Sequence, residues 1–283
     1  MVCPDDDGSL RLLEQDLVPY RASLFPARTA LVLAPHYDDE VFGCGGAIAS
    51  LRREGGAVHV LVLTDGAGDE PDPAERARVA SVRRAESVAA LSLLGGAQLH
   101  EAGLPDRGVA GRLPEANVAI ARAAALVVPG IVFVPSPVEV HPDHRAVAAA
   151  FLAFARSGAP GLAPGAVVAF YEISQPIRPN FLLDATPWVA ACDAAIARFP
   201  TQAAGHDYAS FFRGLRAYRR MTLPREVAAA EAYFVLPVDQ LRRIPSARLA
   251  AVLGPSIPPA RLLERTWQRG VFEFLRSFFR RPV

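Results

Sequence analysis

Two short segments of the sequence, 36–40 and 139–144, concentrate histidines and carboxylates. They read His-Tyr-Asp-Asp-Glu and Glu-Val-His-Pro-Asp-His. A histidine, an aspartate three residues later and a remote histidine form the two-nitrogen, one-oxygen ligand set of zinc hydrolases, which leave the fourth metal position to water. The candidate ligands of this kind are His36, Asp39 and His144.

Two further side chains in these segments could move protons. Asp38 stands beside Asp39 as a candidate base, and His141 is a candidate acid. Each segment also has a purely structural interpretation, because acidic residues before a helix cap its free amides and Asp143 could cap the helix after His-Pro-Asp-His. However, the two segments follow two strands that are predicted to lie in one sheet. Their occurrence together at the ends of these strands argues against both structural interpretations.

Those strands belong to an alternation of short β-branched runs with alanine-rich segments of helical period. Strands are predicted at 29–34, 57–64, 98–102, 131–135 and 166–171. Helices are predicted at 42–53, 73–94, 113–128 and 145–156. Continuous apolar strands separated by helices predict a Rossmann-like α/β fold, with a mostly parallel sheet and helices on both faces. Ligands bind such sheets at the carboxyl ends of the strands, where both histidine segments fall.

The alternation weakens after Tyr171, where prolines interrupt the chain. Later helices and one helix–strand unit are predicted at 189–197, 208–220 and 226–236. We expect three regions, namely an N-terminal arm (1–28), a main domain (29–240) and an irregular, helical C-terminal extension (241–283). The extension carries apolar residues at helical spacing with arginines between them, namely Leu263, Trp267, Val271, Phe274 and Phe278. We expect this basic amphipathic helix to pack on its own domain or on a sister subunit rather than on a membrane surface, which leaves a homo-oligomer open.

Composition argues against several classes of protein. The balance of Lys+Arg 30 against Asp+Glu 29 leaves a net charge of +1, too small a field to draw the chain onto nucleic acid. Cys3, Cys44 and Cys192 are too few and too dispersed for a disulfide framework or a thiolate zinc site. The acidic N-terminus is unlike a signal peptide and the apolar runs are too short for a transmembrane segment, so we expect a cytoplasmic protein. The glycines at 43–46 do not fit a dinucleotide-binding pattern, because Ile48 occupies the third glycine position.

Five motifs occur in order along the chain. They are A-P-H-Y-D-D-E at 34–40, T-D-G at 64–66, R-x-x-E at 83–86, L-P-D at 104–106 and H-P-D-H at 141–144. On these motifs the chain resembles the LmbE-like (PIG-L) family of zinc-dependent N-acetylglucosamine deacetylases. The resemblance is firm over residues 29–172 and looser beyond them, and it makes 29–240 the expected deacetylase domain.

The resemblance implies a role for each matching residue. The implied ligands of one Zn²⁺ per chain, with other divalent metals left open, are His36, Asp39 and His144. Asp38 matches the general base of the family, and His141 matches the histidine that stabilises the oxyanion or protonates the product. Asp143 would orient a histidine through a hydrogen bond.

Sugar contacts and two departures from the family pattern complete the comparison. Arg83 and Asp106 match positions that contact the sugar, although an Arg83–Glu86 pair within one helix and a turn aspartate would explain them structurally. The family usually has proline where this chain has Tyr37, which changes the rigidity of the loop or one wall of the pocket. Some deacetylases of thiol-sugar conjugates have a tyrosine at the position of Glu139, whose hydroxyl assists the oxyanion, and that assistance must here be absent or come from elsewhere.

The expected reaction is the hydrolysis of an acetamide on an N-acetylated amino sugar, which releases acetate and a free amine. One alternative is a related amidase that removes another acyl group. A second is a catalytically idle scaffold with a membrane- or partner-binding tail. A degenerate enzyme should have lost Asp38 or a ligand, and neither is lost. The sugar that carries the acetamide is not defined by the sequence.

Overall fold

The structure is a computed structural model that describes residues 18–26, 28–158, 160–203 and 205–254. These residues form a seven-stranded sheet with the order β3-β2-β1-β4-β5-β7-β6. The strands are β1 (Ala30–Ala34), β2 (Val58–Thr64), β3 (Gln98–Leu104), β4 (Ile131–Pro135), β5 (Val167–Tyr171), β6 (Phe181–Asp184) and β7 (Ala230–Pro237). Strands β1 to β5 are parallel, and β7 runs antiparallel to both β5 and β6. The fold is therefore a Rossmann-like α/β fold with a mostly parallel sheet, as predicted.

Helices cover both faces of this sheet. The described α-helices are α1 (Asp39–Arg53), α2 (Pro73–Leu93), α3 (Leu113–Val127), α4 (Pro142–Ser157), α5 (Val189–Ile196), α6 (Pro200–Ala203), α7 (Tyr208–Arg219), α8 (Val238–Leu241) and α9 (Ser246–Leu253). Helices α1, α2, α5 and α7 pack on one face, and α3, α4, α8 and α9 pack on the other. Within the described ranges, no helix combines the length and apolar character needed to cross a membrane.

The central strands are apolar at every position because both of their faces are covered. In β1, Ala30 and Val32 belong to the core under α1, whereas Leu31 and Leu33 belong to the core under α3 and α4. Successive side chains of a strand point to opposite faces, so an uninterrupted apolar run supplies both cores at once. This rigid double layer holds the loops at the carboxyl ends of the strands.

Helix α1 lies unusually close to the strands because of its glycines. A Cβ atom at Gly43 would lie 2.3 Å from the ring of Tyr171, and one at Gly46 would lie 2.9 Å from the carboxyl carbon of Glu231. Glu231 accepts hydrogen bonds from the backbone N–H groups of Gly46 (2.7 Å) and Ala47 (3.0 Å). The glycine cluster thus serves close packing inside a helix, and this packing fixes the position of the helix start.

The second half of the chain differs from the sequence expectations. Strand β6 was not predicted, because a four-residue strand between prolines carries little periodic signal. The helix–strand unit predicted at 226–236 was wrong in its first part, since Ala230–Pro237 is a strand but 221–229 is turns and irregular chain. Helix α9 lies in the expected extension, at residues for which the sequence predicted no helix, and it buries Leu249 and Leu253 in the core shared with α4. The amphipathic segment from Leu263 onward and most of the N-terminal arm lie outside the described residues.

Candidate metal centre

The two histidine segments meet where the order of strands in the sheet reverses. Strand β2 lies beside β1 on one side, whereas β5 lies beside β4 on the other. The chain therefore leaves β1 and β4 in opposite directions, and the crevice between their loops is the usual ligand site of open α/β sheets. His36 lies in the loop after β1, and His141 lies in the loop after β4.

Both helices that follow these loops begin earlier than the sequence pattern predicted. Helix α1 starts at Asp39 rather than at residue 42, and α4 starts at Pro142 rather than at residue 145. Asp39 and His144 consequently lie in the first turns of these helices. The first turn of each helix is polar, so the apolar periodicity begins only after it and the predicted helices were too short. Pro142 could have marked the start of α4, because proline is common at the first helical position.

The three predicted ligands contact one another around a single carboxylate oxygen. Oδ2 of Asp39 lies 3.2 Å from Nδ1 of His36 and 3.2 Å from Nε2 of His144. It also accepts a 2.9 Å hydrogen bond from the backbone N–H of His36. Burial opposes ionisation of Asp39, but the neighbouring charge of His144 and the hydrogen bonds to both imidazoles hold its pKa below the usual range. Burial likewise disfavours the charged form of His144, and Asp39 nevertheless raises its pKa to about 9.

The outward nitrogen of His36 also faces carboxylates. Its Nε2 lies 3.1 Å from Oδ1 of Asp106 and 3.4 Å from Oδ2 of Asp143. Asp143 is fully buried, and its other oxygen accepts a hydrogen bond from the backbone N–H of Val109 (3.1 Å). Burial alone would lower the pKa of His36, yet the hydrogen bonds that its ring donates to Asp106, Asp143 and Asp39 raise it well above the usual value.

This donor set fits a divalent cation. Ring nitrogens of His36, His141 and His144 lie within 4.8 Å of one another, and the same holds for ligand atoms of His36, Asp106 and Asp143. Buried histidines surrounded by carboxylates hold protons in the absence of a cation, and a metal would replace those protons. Imidazole and carboxylate ligands suit zinc, with carboxylates on the outer nitrogens of the ligand histidines. The described site therefore offers imidazole and carboxylate donors to a metal, in groups that include His36 and His144 but not Asp39.

Asp38 lies beside this group in a strained backbone conformation. Its φ of 141° and ψ of −33° are rarely adopted by a residue with a side chain. The backbone N–H of Asp38 donates to Oε2 of Glu40 (3.0 Å), and Oε1 of Glu40 accepts from the Ser87 hydroxyl (2.5 Å). Burial and the adjacent charge of Asp39 raise the pKa of Asp38 well above its usual value. A carboxylate with a raised pKa is a stronger base than an ordinary aspartate.

His141 completes the group as a neutral side chain. Its ring lies perpendicular to that of His36, with 4.7 Å between the ring centroids. Its Nδ1 accepts a hydrogen bond from the backbone N–H of Asp143 (3.2 Å), so the proton of the neutral ring resides on Nε2. Partial burial and the charge of His36 lower the pKa of His141. Asp143 thus contacts both histidines, His36 through its side chain and His141 through its backbone.

The two predicted sugar-contact residues are neighbours, and one of them, Asp106, is also a carboxylate that contacts His36. Arg83 lies 4.0 Å from Asp106, and its guanidinium donates to the side-chain oxygen of Gln202 at 2.6 and 2.8 Å when that amide is oriented to accept. Glu86 accepts from the backbone N–H (3.1 Å) and the hydroxyl (2.5 Å) of Thr201. The R-x-x-E motif therefore fastens the short helix α6 to α2 instead of forming a pair within α2.

Two residues that the sequence marked only as departures have defined partners. The hydroxyl of Tyr37 donates to Glu101 on β3, and its ring packs against Gly66, where a Cβ would lie 3.3 Å from the ring. Glu139 is buried and accepts a hydrogen bond from the backbone N–H of Ile173 in the loop after β5. Its Oε2 also lies 3.7 Å from Nδ1 of His144. Neither partner was predicted, because each lies on a different strand or loop; the unusual residue type was the only signal.

Comparisons with known proteins agree with this architecture. Residues 31–155 match the family model PIG-L, GlcNAc-PI de-N-acetylase. No curated protein matches the chain. Among solved structures, N,N'-diacetylchitobiose deacetylase from Pyrococcus horikoshii superposes with a TM-score of 0.64 at 22% identity, over 79% of this chain and 88% of that chain.

Two other solved structures have higher sequence identity. The conserved protein TT1542 from Thermus thermophilus is 28% identical, with a TM-score of 0.60 over 72% of this chain and 93% of its own. GalB, the 4-carboxy-2-hydroxymuconate hydratase of Pseudomonas putida, is 26% identical, with a TM-score of 0.56 over 74% of this chain and 96% of its own. All three share the fold of this chain.

Fold and site together define an α/β protein with clustered histidine and aspartate side chains where the strand order of its sheet reverses. Residues 31–155 match the model of the PIG-L, or LmbE-like, family. The resemblance seen in the sequence motifs is thereby confirmed.

Proposed function

We propose that this protein is a metal-dependent de-N-acetylase that hydrolyses the acetamide of an N-acetylated amino sugar. The family match supports a deacetylase that acts on N-acetylated sugars. The observation that carries the proposal is the arrangement around Asp39, whose Oδ2 lies 3.2 Å from both ligand imidazoles while Asp38 lies buried next to it. A ligand set and a base in adjacent positions are what hydrolysis by an activated water requires.

The proposed metal is one Zn²⁺ per chain, held by His36, Asp39 and His144, with other divalent metals left open. When bound, zinc lowers the pKa of a coordinated water toward neutrality and polarises the acyl carbonyl. Three protein ligands leave room for water and substrate. In the described structure, Nε2 of His36 also faces Asp106 and Asp143. These carboxylates would accept the Nε2–H while Nδ1 of His36 binds the metal.

The protein side chains then supply the proton transfers. Asp38 takes the proton of the attacking water as the new C–O bond forms, and His141, neutral with Nε2–H outward, donates a hydrogen bond to the oxyanion. Cleavage of the C–N bond needs a proton on the leaving nitrogen, which Asp38 or His141 delivers. Acetate and the free amine are the products. Asp143 keeps His36 and His141 in their orientations through the contacts described above.

The sugar would lie against the rim formed by Arg83 and Asp106. These groups offer a donor and an acceptor for sugar hydroxyls, and Gln202 holds the guanidinium in place. The proposed deacetylase domain is 29–240, with 1–28 as an arm and 241–283 as an extension. A cytoplasmic location and a homo-oligomer stay predictions.

Metal analysis and an acetate assay test this proposal. Protein purified without chelators should contain about one zinc per chain. It should release acetate from at least one member of a panel of N-acetylated mono- and disaccharides, glycolipids and nucleotide sugars, and dialysis against a chelator should abolish this release. Failure to bind zinc at His36, Asp39 and His144 in a zinc-soaked crystal would contradict the proposal.

A second candidate function comes from the 26% identity to a hydratase of the same fold. Activated water can add to a carbon–carbon double bond as well as to an amide, and Arg83 could bind a substrate carboxylate. The same protein preparation should therefore be assayed for hydration of unsaturated dicarboxylates. Hydration without acetate release would favour the hydratase, and release of an acyl group other than acetyl would favour a related amidase.

A further inference from the structure

Glu139 is a buried carboxylate in the loop between β4 and α4. Only 1% of its surface is exposed. Oε1 accepts a hydrogen bond from the backbone N–H of Ile173 (2.6 Å), and Oε2 accepts from the backbone N–H (3.1 Å) and the hydroxyl (2.9 Å) of Ser174. The carboxylate therefore binds the loop that follows β5, which is a different role from assisting an oxyanion.

The same carboxylate faces a ligand histidine. Nε2 of His144 lies 3.2 Å from Asp39, and its Nδ1 lies 3.7 Å from Oε2 of Glu139. This Nδ1 is buried and makes no hydrogen bond in the described structure. The separation exceeds hydrogen-bond length by about half an ångström, which a small rotation of the imidazole would close. This rotation would be favourable, because it would give the buried Nδ1–H of His144 a hydrogen-bond acceptor, and a buried polar group without a partner is destabilising.

We propose that Glu139 is a positioning residue that accepts the Nδ1–H of His144 and so presents Nε2 as the metal-binding nitrogen. A histidine can ligate through only one nitrogen while the other keeps its proton, and the partner of that proton sets both the tautomer and the ring orientation. His36 has the matching arrangement, with Nε2 near Asp106 and Asp143. The inference rests on the metal site of the proposed function but on no particular substrate.

The competing explanation is that Glu139 only anchors the loop at 173–175. Two substitutions separate these explanations. Glu139→Gln keeps the size of the side chain but removes the charge that attracts Nδ1–H. Ser174→Ala removes one hydrogen-bond donor to the same carboxylate and leaves the carboxylate facing His144, so it weakens the loop contact alone.

Zinc affinity of the full chain, measured by competition with a chromophoric chelator, is the deciding quantity. Glu139→Gln should weaken zinc binding by about 10- to 100-fold, the usual cost of losing the partner of a ligand histidine. Ser174→Ala should bind zinc as the unchanged protein does, even where both substitutions lower the thermal midpoint of the metal-free protein. Unchanged zinc affinity in Glu139→Gln, or equal losses in both variants, would overturn the inference.

A measurement on the unsubstituted protein covers the case in which Glu139→Gln does not fold. Nitrogen-15 NMR of the zinc-loaded chain should show the His144 proton on Nδ1, and a proton on Nε2 would contradict the proposal. These outcomes are distinct from those of the proposed function. A chain that binds zinc through a protonated-Nδ1 His144 but releases no acetate contradicts the deacetylase and supports the role of Glu139.

Discussion

The loops after β1 and β4 meet at the same crevice but are built differently. The first holds Asp38 at φ 141°, whereas His141 in the second has an ordinary extended backbone (φ −71°, ψ 133°) and is followed by Pro142 at the first helical position. Strain of this kind costs on the order of 1–3 kcal/mol and persists only where surrounding contacts impose it. The strain therefore lies in the loop that carries the proposed base, while the other loop is relaxed.

Electrostatics divides each loop in the same way. Burial raises the pKa of Asp38, whereas Asp39, although also buried, has its pKa lowered by His144 and His36. Burial lowers the pKa of His141, whereas Asp39 raises the pKa of His144, which is buried as well, to about 9. The charged forms of Asp39 and His144 therefore stabilise each other across the crevice. The charged forms of Asp38 and His141 are instead disfavoured by their surroundings. When two residues of the same type lie in one site and their surroundings shift their pKa values in opposite directions, the two residues usually have different roles. This separation supports the proposal that Asp39 and His144 bind the metal and that Asp38 and His141 transfer protons.

The largest expected effect is that of Asp38→Asn. This substitution keeps the size of the side chain and removes the basic oxygen, so zinc should remain bound while turnover falls. The loss of a general base costs about 10² to 10⁴ in rate, and a base that serves two proton transfers should lie at the upper end. Zinc content and kcat on a proven substrate measure the two quantities. Near-normal turnover, or loss of zinc, would reverse the roles of the two aspartates.

Asp39→Asn should show the opposite behaviour. Its carboxylate is the group that both ligand histidines contact, so zinc affinity should fall by more than the roughly 10- to 100-fold expected for a residue that only supports a ligand. Excess zinc should restore part of the activity, which it should not do for Asp38→Asn. A titration of activity against zinc concentration for both variants makes this comparison. Identical zinc dependence in the two variants would contradict the division of roles.

Tyr37→Phe tests what holds the strained loop. The hydroxyl of Tyr37 donates to Glu101, and deletion of one such hydrogen bond costs about 1 kcal/mol, which corresponds to about 2–4 °C in the thermal midpoint. We expect this loss together with a fall in kcat of less than about tenfold, because Asp38 follows Tyr37 directly. Arg84→Ala is the matched control, since it removes an exposed partner of Glu101 (2.9 Å) and should change little. Equal effects of both substitutions would show that the hydroxyl does not support the loop.

The sequence predicted the regular half of the molecule better than the irregular half, and the reason is physical. Buried parallel strands are continuously apolar and their helices are periodic, so β1 and β4, and hence the segments after them, were recognisable. Strand β6 and the packing of α9 depend on contacts remote in sequence, which no local pattern encodes. The same limit applies in the site. Residue spacing was enough to propose candidate ligands, but it could not predict the partners of Glu139 and Tyr37, which lie on other elements.

The smallest expected effect concerns a histidine pair away from this crevice. His59 on β2 and His100 on β3 lie with Nδ1 and Nε2 3.1 Å apart and their rings stacked, near the start of β2 rather than at its carboxyl end. Burial, and then His100, lower the pKa of His59, so the unfolded chain binds this proton more readily than the folded chain does. The stability that results is present above the unfolded pKa of about 6.5 and is lost as the pH falls below it.

His59→Gln removes this pH dependence of stability. The thermal midpoint of the metal-free wild-type protein should therefore fall slightly more between pH 7 and pH 5 than that of the variant. We expect a difference of no more than about 2 °C, because solvent screens a partly exposed pair. Parallel melting curves across that interval would show that His59 and His100 are not coupled, whereas a large difference would mean that this end of the sheet contributes to pH sensitivity as strongly as the crevice does.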